Sequence, residues 1–80
     1  MEPDHIKRQI EEGLPGSEVM VSGDGRHFEA VVVNERFCGK STLEQHRMVY
    51  GALGESFASE ALHALSLKTY TPERWRGEKA

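Results

Sequence analysis

Cysteine is nearly absent: Cys38 is the only one in 80 residues, so no disulfide forms within the chain and the fold must rest on packing. That usage fits a reducing compartment. Long apolar runs are missing as well; the longest, Ala30 to Val33, is strand-sized, far short of the roughly 20 continuous apolar residues of a membrane helix. The opening residues Met1-Glu2-Pro3-Asp4 hold no basic stretch running into an apolar one, the mark of a secretory leader, and the expected location is cytoplasmic. An excess of positive charge is lacking too. With 13 acidic side chains against 10 basic ones and a formal net charge of −3, the overall field repels phosphate backbones, and only a local basic patch would hold one. Eighty residues accommodate one small domain, expected to span 1–80 with an ordered core from about 3 to 76 and a loose C-terminal tail.

Several chemical signatures are equally absent. No C-x-x-C, H-x-x-x-H or H-E-x-x-H spacing occurs, which argues against a complete four-ligand zinc site within the chain. Gly39-Lys40-Ser41-Thr42 looks like the end of a phosphate-binding loop, but the glycine required five residues earlier is Asn34, so ATP binding is rejected. Cys38 has no partner base at a telling spacing, and so short a chain has little room for a substrate cleft. No enzymatic activity is expected.

What is present is periodicity. Ile6, Ile10 and Leu14 recur every four residues amid charge, predicting an amphipathic helix over Pro3 to Leu14, ended by Gly13 and Pro15-Gly16. Two β-branched runs, Glu18 to Ser22 and His27 to Val33, flank Gly23-Asp24-Gly25 and read as a hairpin. In the second run Phe28, Ala30 and Val32 share one face and Val31 and Val33 the other, as in a central strand. Ser41 and Glu44 have the spacing of a capping box. Behind it, Leu43, His46, Val49, Tyr50, Leu53 and Phe57 form a stripe that Gly51 and Gly54 interrupt, suggesting a bend or two helices meeting at Gly51-Ala-Leu-Gly54, of which two short helices are expected. Ala61 to Tyr70 alternates as a third strand, and Thr71-Pro72-Glu73-Arg74-Trp75 starts one closing helical turn. The order is αββααβα, an α+β fold whose second and third strands are parallel because a long crossover joins them.

That topology bears on the histidines. A lone histidine is usually a surface or hydrogen-bonded residue, and His5 and His46 read that way, solvated and half-buried respectively. His27 and His63, however, stand at the N-terminal ends of strands expected to run parallel, roughly 4.8 Å apart if adjacent, which brings two imidazoles within reach of one metal. Any metal there needs further ligands from outside the chain. Gly51-Ala-Leu-Gly54 also matches the GxxG loop with which KH domains hold a nucleotide backbone, and Arg36, Lys40 and Arg47 offer a basic flank. Glycines that end one helix and start the next explain the same four residues.

Three blocks in order resemble the BolA family: Val21-Ser-Gly-Asp-Gly-Arg-His-Phe28, Phe37-Cys-Gly-Lys-Ser41 leading to His46-Arg-Met-Val-Tyr50, and Leu62-His-Ala-Leu-Ser-Leu-Lys-Thr-Tyr-Thr-Pro72. The resemblance runs from Pro3 to Trp75. It implies a three-stranded mixed sheet covered by helices, similar to class II KH domains. It also implies a small non-catalytic partner of monothiol glutaredoxins in iron–sulfur and iron homeostasis, with DNA-binding stress regulators among its relatives. In such pairs a [2Fe–2S] cluster is shared between the glutaredoxin cysteine, a glutathione thiolate and the BolA protein, none residing in the isolated chain. The matching positions are His63 and the hairpin histidine, His27, which marks the subgroup with a histidine-bearing loop. Imidazoles in place of thiolates raise the potential and make retention pH-sensitive, since a protonated ring does not ligate. A KH-like nucleic-acid-binding regulator acting through Arg36, Lys40, Arg47, Gly51 and Gly54 is the alternative. Gln45-His46-Arg47 stands where many relatives carry Arg-His-Arg, which counts against DNA binding. Cys38 falls outside the implied ligands, and a homodimer is left open.

Overall fold

Apolar residues every fourth position need a surface to cover, and in the computed structural model they find one. The structure describes residues 2–24, 26–54 and 64–79. Over these the order is helix α1 (Pro3–Gly13), strands β1 (Glu18–Gly23) and β2 (Phe28–Val33), a 3-10 turn (Glu35–Phe37), helix α2 (Thr42–Leu53), strand β3 (Leu65–Tyr70) and helix α3 (Pro72–Lys79). Pro3 starts α1, where a missing N–H costs nothing, and Ile6, Ile10 and Leu14 are buried against β1 and α2.

The sheet order is β1-β2-β3, antiparallel then parallel, which makes the fold α+β with a mixed sheet. β2 is central, as its two-faced apolar pattern requires: Phe28, Ala30, Val32 and Val33 are buried and Val31 is half-buried. Opposite them, Val19 pairs with Val32 and Leu65 with Phe28, so the core lies between this face and helices α1 and α2.

Several boundaries differ from expectation. α2 begins with the full capping box, Ser41 accepting from the Glu44 N–H and the Glu44 carboxylate from the Ser41 N–H. It then runs straight through Gly51 to Leu53 and ends only at Gly54, whose φ of 83° is a left-handed value that glycine adopts freely. One interior glycine costs a helix only about 1 kcal/mol, too little to split it against the burial of Val49 and Leu53 on either side. The second expected helix and Phe57 lie outside the described residues. Leu43, expected on the buried stripe, is 59% exposed because it stands on the first turn, short of the core. β3 begins at Leu65 and not at Ala61, since Ala64 is still helical backbone. The closing turn is a helix of eight residues, so the tail expected to be loose after Arg76 continues as helix to Lys79. Thr71 accepts from the Arg74 N–H, and the Trp75 ring packs on Tyr70 at 5.2 Å between centroids.

Candidate functional site

The first partners of the parallel pair are Phe28 and Leu65, so both strands enter the sheet at the same edge. His27 is the residue before Phe28; it lies in the connection between the strands and not in β2, and it is exposed. His63, two residues before Leu65 in the sequence, lies outside the described residues.

The turn holding His27 is organised by Asp24. Its Oδ1 accepts the backbone N–H of Arg26 at 2.9 Å and of His27 at 2.8 Å, while its own N–H donates to the His27 carbonyl at 3.1 Å. Such side-chain closure is the ordinary use of Asp in turns. The His27 N–H, then the Arg26 N–H, hold the Asp24 carboxyl below its usual value, because both bonds favour the charged form. Gly23, still paired in β1 opposite Phe28, completes the turn: a Cβ there would lie 2.4 Å from the Phe28 ring and 2.7 Å from the His27 oxygen. Among the described residues no three His, Cys, Asp or Glu side chains gather as a metal site.

The opposite end of the sheet carries the other candidates. Arg36 lies in the 3-10 turn, Lys40 in the loop before α2 and Arg47 on α2, all exposed. Glu44 stands between the last two. Its carboxyl is held low chiefly by the Ser41 N–H and hydroxyl, with the Lys40 and Arg47 charges adding, so a carboxylate offsets part of this basic flank. Gly51 is inside α2 and Gly54 ends it, so of the GxxG segment only the last residue leaves the helix. Cys38 is exposed and lines an open cavity of about 340 Å³ with Glu35, Thr71, Pro72, Glu73 and Arg76. The length of β2, roughly 17 Å at about 3.3 Å per residue, separates it from the His27 end. One iron cannot take both.

Two residues at this second end matter more than their sequence context suggests. Asn34, noted there only as the wrong residue for a phosphate loop, is buried: Oδ1 accepts the Arg36 N–H, Nδ2 donates to Ser17 Oγ, and its N–H donates to the Tyr70 carbonyl. Gln45, noted only as a missing arginine, donates through Nε2 to the carbonyls of Phe37 and Lys40 and accepts from Thr69 Oγ1 at 2.6 Å. It ties the loop before α2 to β3. An Asn directly after a strand and two residues before an N–H donor is the local signal for the first. Nothing local signals the second, whose partner in β3 lies 24 residues from it.

The model of the BolA-like protein family matches residues 5–74. The chain belongs to the BolA family. A BolA homologue from Coxiella burnetii of known structure is 51% identical and superposes with a TM-score of 0.80, covering 95% of this chain and 99% of that one. Acid stress protein IbaG of Escherichia coli K12 is 40% identical over 79 residues, 99% of this chain and 94% of its own length. The DNA-binding transcriptional regulator BolA of the same organism is 45% identical over 56 residues, 70% of this chain and 52% of its own length. The family match includes both the His27 turn and the Gln45 clamp.

Proposed function

We propose that this chain is a non-catalytic cytoplasmic adaptor that binds a monothiol glutaredoxin and co-ligates a bridging [2Fe–2S] cluster with it, in iron handling and stress response. His27 and His63 supply the nitrogen donors; the glutaredoxin cysteine and a glutathione thiolate supply the sulfur. The observation that carries this reading is the parallel register opening at Phe28 and Leu65. In the sequence His27 precedes that pair by one residue and His63 by two. The donor chemistry fits: the exposed His27 imidazole on a hydrogen-bonded backbone ligates as the neutral ring, and two histidine donors are half of what the two irons need. The other half must come from a partner. When bound, the cluster supplies a redox centre whose potential lies above that of an all-thiolate one.

Anaerobic reconstitution with a monothiol glutaredoxin and glutathione tests the proposal, read by visible absorption and circular dichroism. The wild type forms a heterodimer with a distinct cluster spectrum, and His63→Ala loses it. A wild-type chain that forms no such complex overturns the reading.

A second reading, nucleic-acid binding, draws on the exposed Arg36, Lys40 and Arg47 at the far end of the sheet and on the name of the Escherichia coli relative. It requires an affinity that falls steeply with salt and drops in Lys40→Ala and Arg47→Ala. Unchanged DNA affinity in both variants removes its surface.

A further inference from the structure

We infer that Asp24 is the positioning residue for His27, fixing the direction in which the imidazole leaves the sheet edge. The inference rests on His27 being a cluster donor, as proposed above. Both backbone polar groups of His27 end on Asp24, the N–H on its carboxylate at 2.8 Å and the carbonyl on its N–H at 3.1 Å. The neighbouring Arg26 N–H closes on the same oxygen. On the other side Phe28 is buried in the core, and Gly23 lets β1 close to within the space a Cβ would need beside the His27 oxygen. His27 is thus held from behind by a carboxylate and from ahead by a buried ring, and only its side-chain torsions stay free.

A ligand so held meets the metal without ordering the turn first, which is the usual advantage of outer groups that orient a ligand. The hydrogen bonds of the carboxylate go to backbone N–H groups, although its charge is also felt by the His27 ring. The role inferred is the geometric one, for which an acceptor oxygen at the same place should serve. Asparagine keeps that oxygen without the charge, glutamate keeps the charge on a longer arm that moves it away, and alanine removes both.

The test uses the full chain reconstituted with a monothiol glutaredoxin and glutathione, comparing wild type, Asp24→Ala, Asp24→Asn, Asp24→Glu and His27→Ala. Asp24→Ala and Asp24→Glu should release the cluster on the order of tenfold faster and shift its visible circular dichroism toward that of His27→Ala. Asp24→Asn should stay within about threefold of wild type, the rescue that separates geometry from charge. In the free protein, amide hydrogen exchange at Arg26 and His27 should be protected in wild type and Asp24→Asn and released in the other two Asp24 variants.

If Asp24→Ala and Asp24→Glu keep the wild-type release rate and spectrum while His27→Ala alters both, the positioning role is overturned and the donor reading stands. If His27→Ala leaves the spectrum unchanged, the donor reading falls and takes this inference with it. If Asp24→Ala does not fold, the contrast between Asn and Glu decides: a stable cluster in both overturns the role, and loss in Glu alone supports it.

Discussion

The two ends of the β2–β3 pair are built differently. At the C-terminal end, buried Asn34 joins Ser17, Arg36 and Tyr70, Gln45 clamps the Phe37–Lys40 loop to Thr69, and a capping box starts α2. Phe37 fills the core beneath them with no exposed surface. At the N-terminal end one exposed carboxylate accepts the N–H groups of Arg26 and His27 between the two strands, and His27 faces solvent. One end spends its polar side chains on holding segments distant in sequence; the other leaves a titratable ring unburied on a locally closed turn. A ligand-presenting edge needs an accessible side chain on a defined backbone, and stability can be concentrated elsewhere.

Substitutions sharpen this contrast. Phe37→Ala should cost the most, about 3–5 kcal/mol, because a fully buried ring leaves a cavity under the clamped loop; urea unfolding reads it as a lower midpoint. Asn34→Ala should cost about 1–3 kcal/mol by stranding the Arg36 N–H and Ser17 hydroxyl. Gln45→Ala should follow at about 1 kcal/mol, with faster hydrogen exchange confined to residues 37–41, since its partners are partly exposed and regain water. His27→Ala should change stability by less than about 0.5 kcal/mol, as exposed substitutions do. A large loss there would break the comparison.

Acid should give the smallest effect and touch both ends. Asp24 and Glu44 titrate below their ordinary values because backbone N–H groups favour their charged forms. A carboxyl depressed on folding contributes stability above its unfolded pKa and gives it up as pH falls through the folded one. Both contributions are therefore complete at neutral pH and fade only below the ordinary carboxylate range. Asp24→Asn and Glu44→Gln should each flatten the acid limb of a stability–pH curve; an unchanged slope would mean that these bonds persist in the unfolded chain.

Local signals were readable where one segment decides its own structure. Ile6, Ile10 and Leu14 announced α1, Ser41 and Glu44 the start of α2, and the alternation in 28–33 the central strand. The end of α2 falls within the expected Gly51-Ala-Leu-Gly54 junction, at its last glycine, because the propensity cost of Gly51 is small beside burial of the residues around it. The start of β3 was misread for a related reason: alternation from Ala61 satisfies a strand pattern, but Ala64 takes helical backbone immediately before the strand. For the candidate site, the parallel direction of β2 and β3 followed from crossover length, whereas their adjacency and the hydrogen bonds from His27 to Asp24 came only with the structure.

The order of the described elements, the central strand, the parallel direction of β2 and β3 and the choice of His27 as a candidate donor were legible in the sequence. These follow from periodicity, capping and connection length, which act within a segment or between consecutive ones. Only the tertiary structure decided that Asn34 and Gln45 are the knots of one end, that Leu43 is exposed, and that Cys38 lies a strand's length from His27. Each of these depends on which distant residues arrive at the same place. A side chain's partners across 17 or 24 positions are set by the packing of whole elements, and no local pattern encodes them.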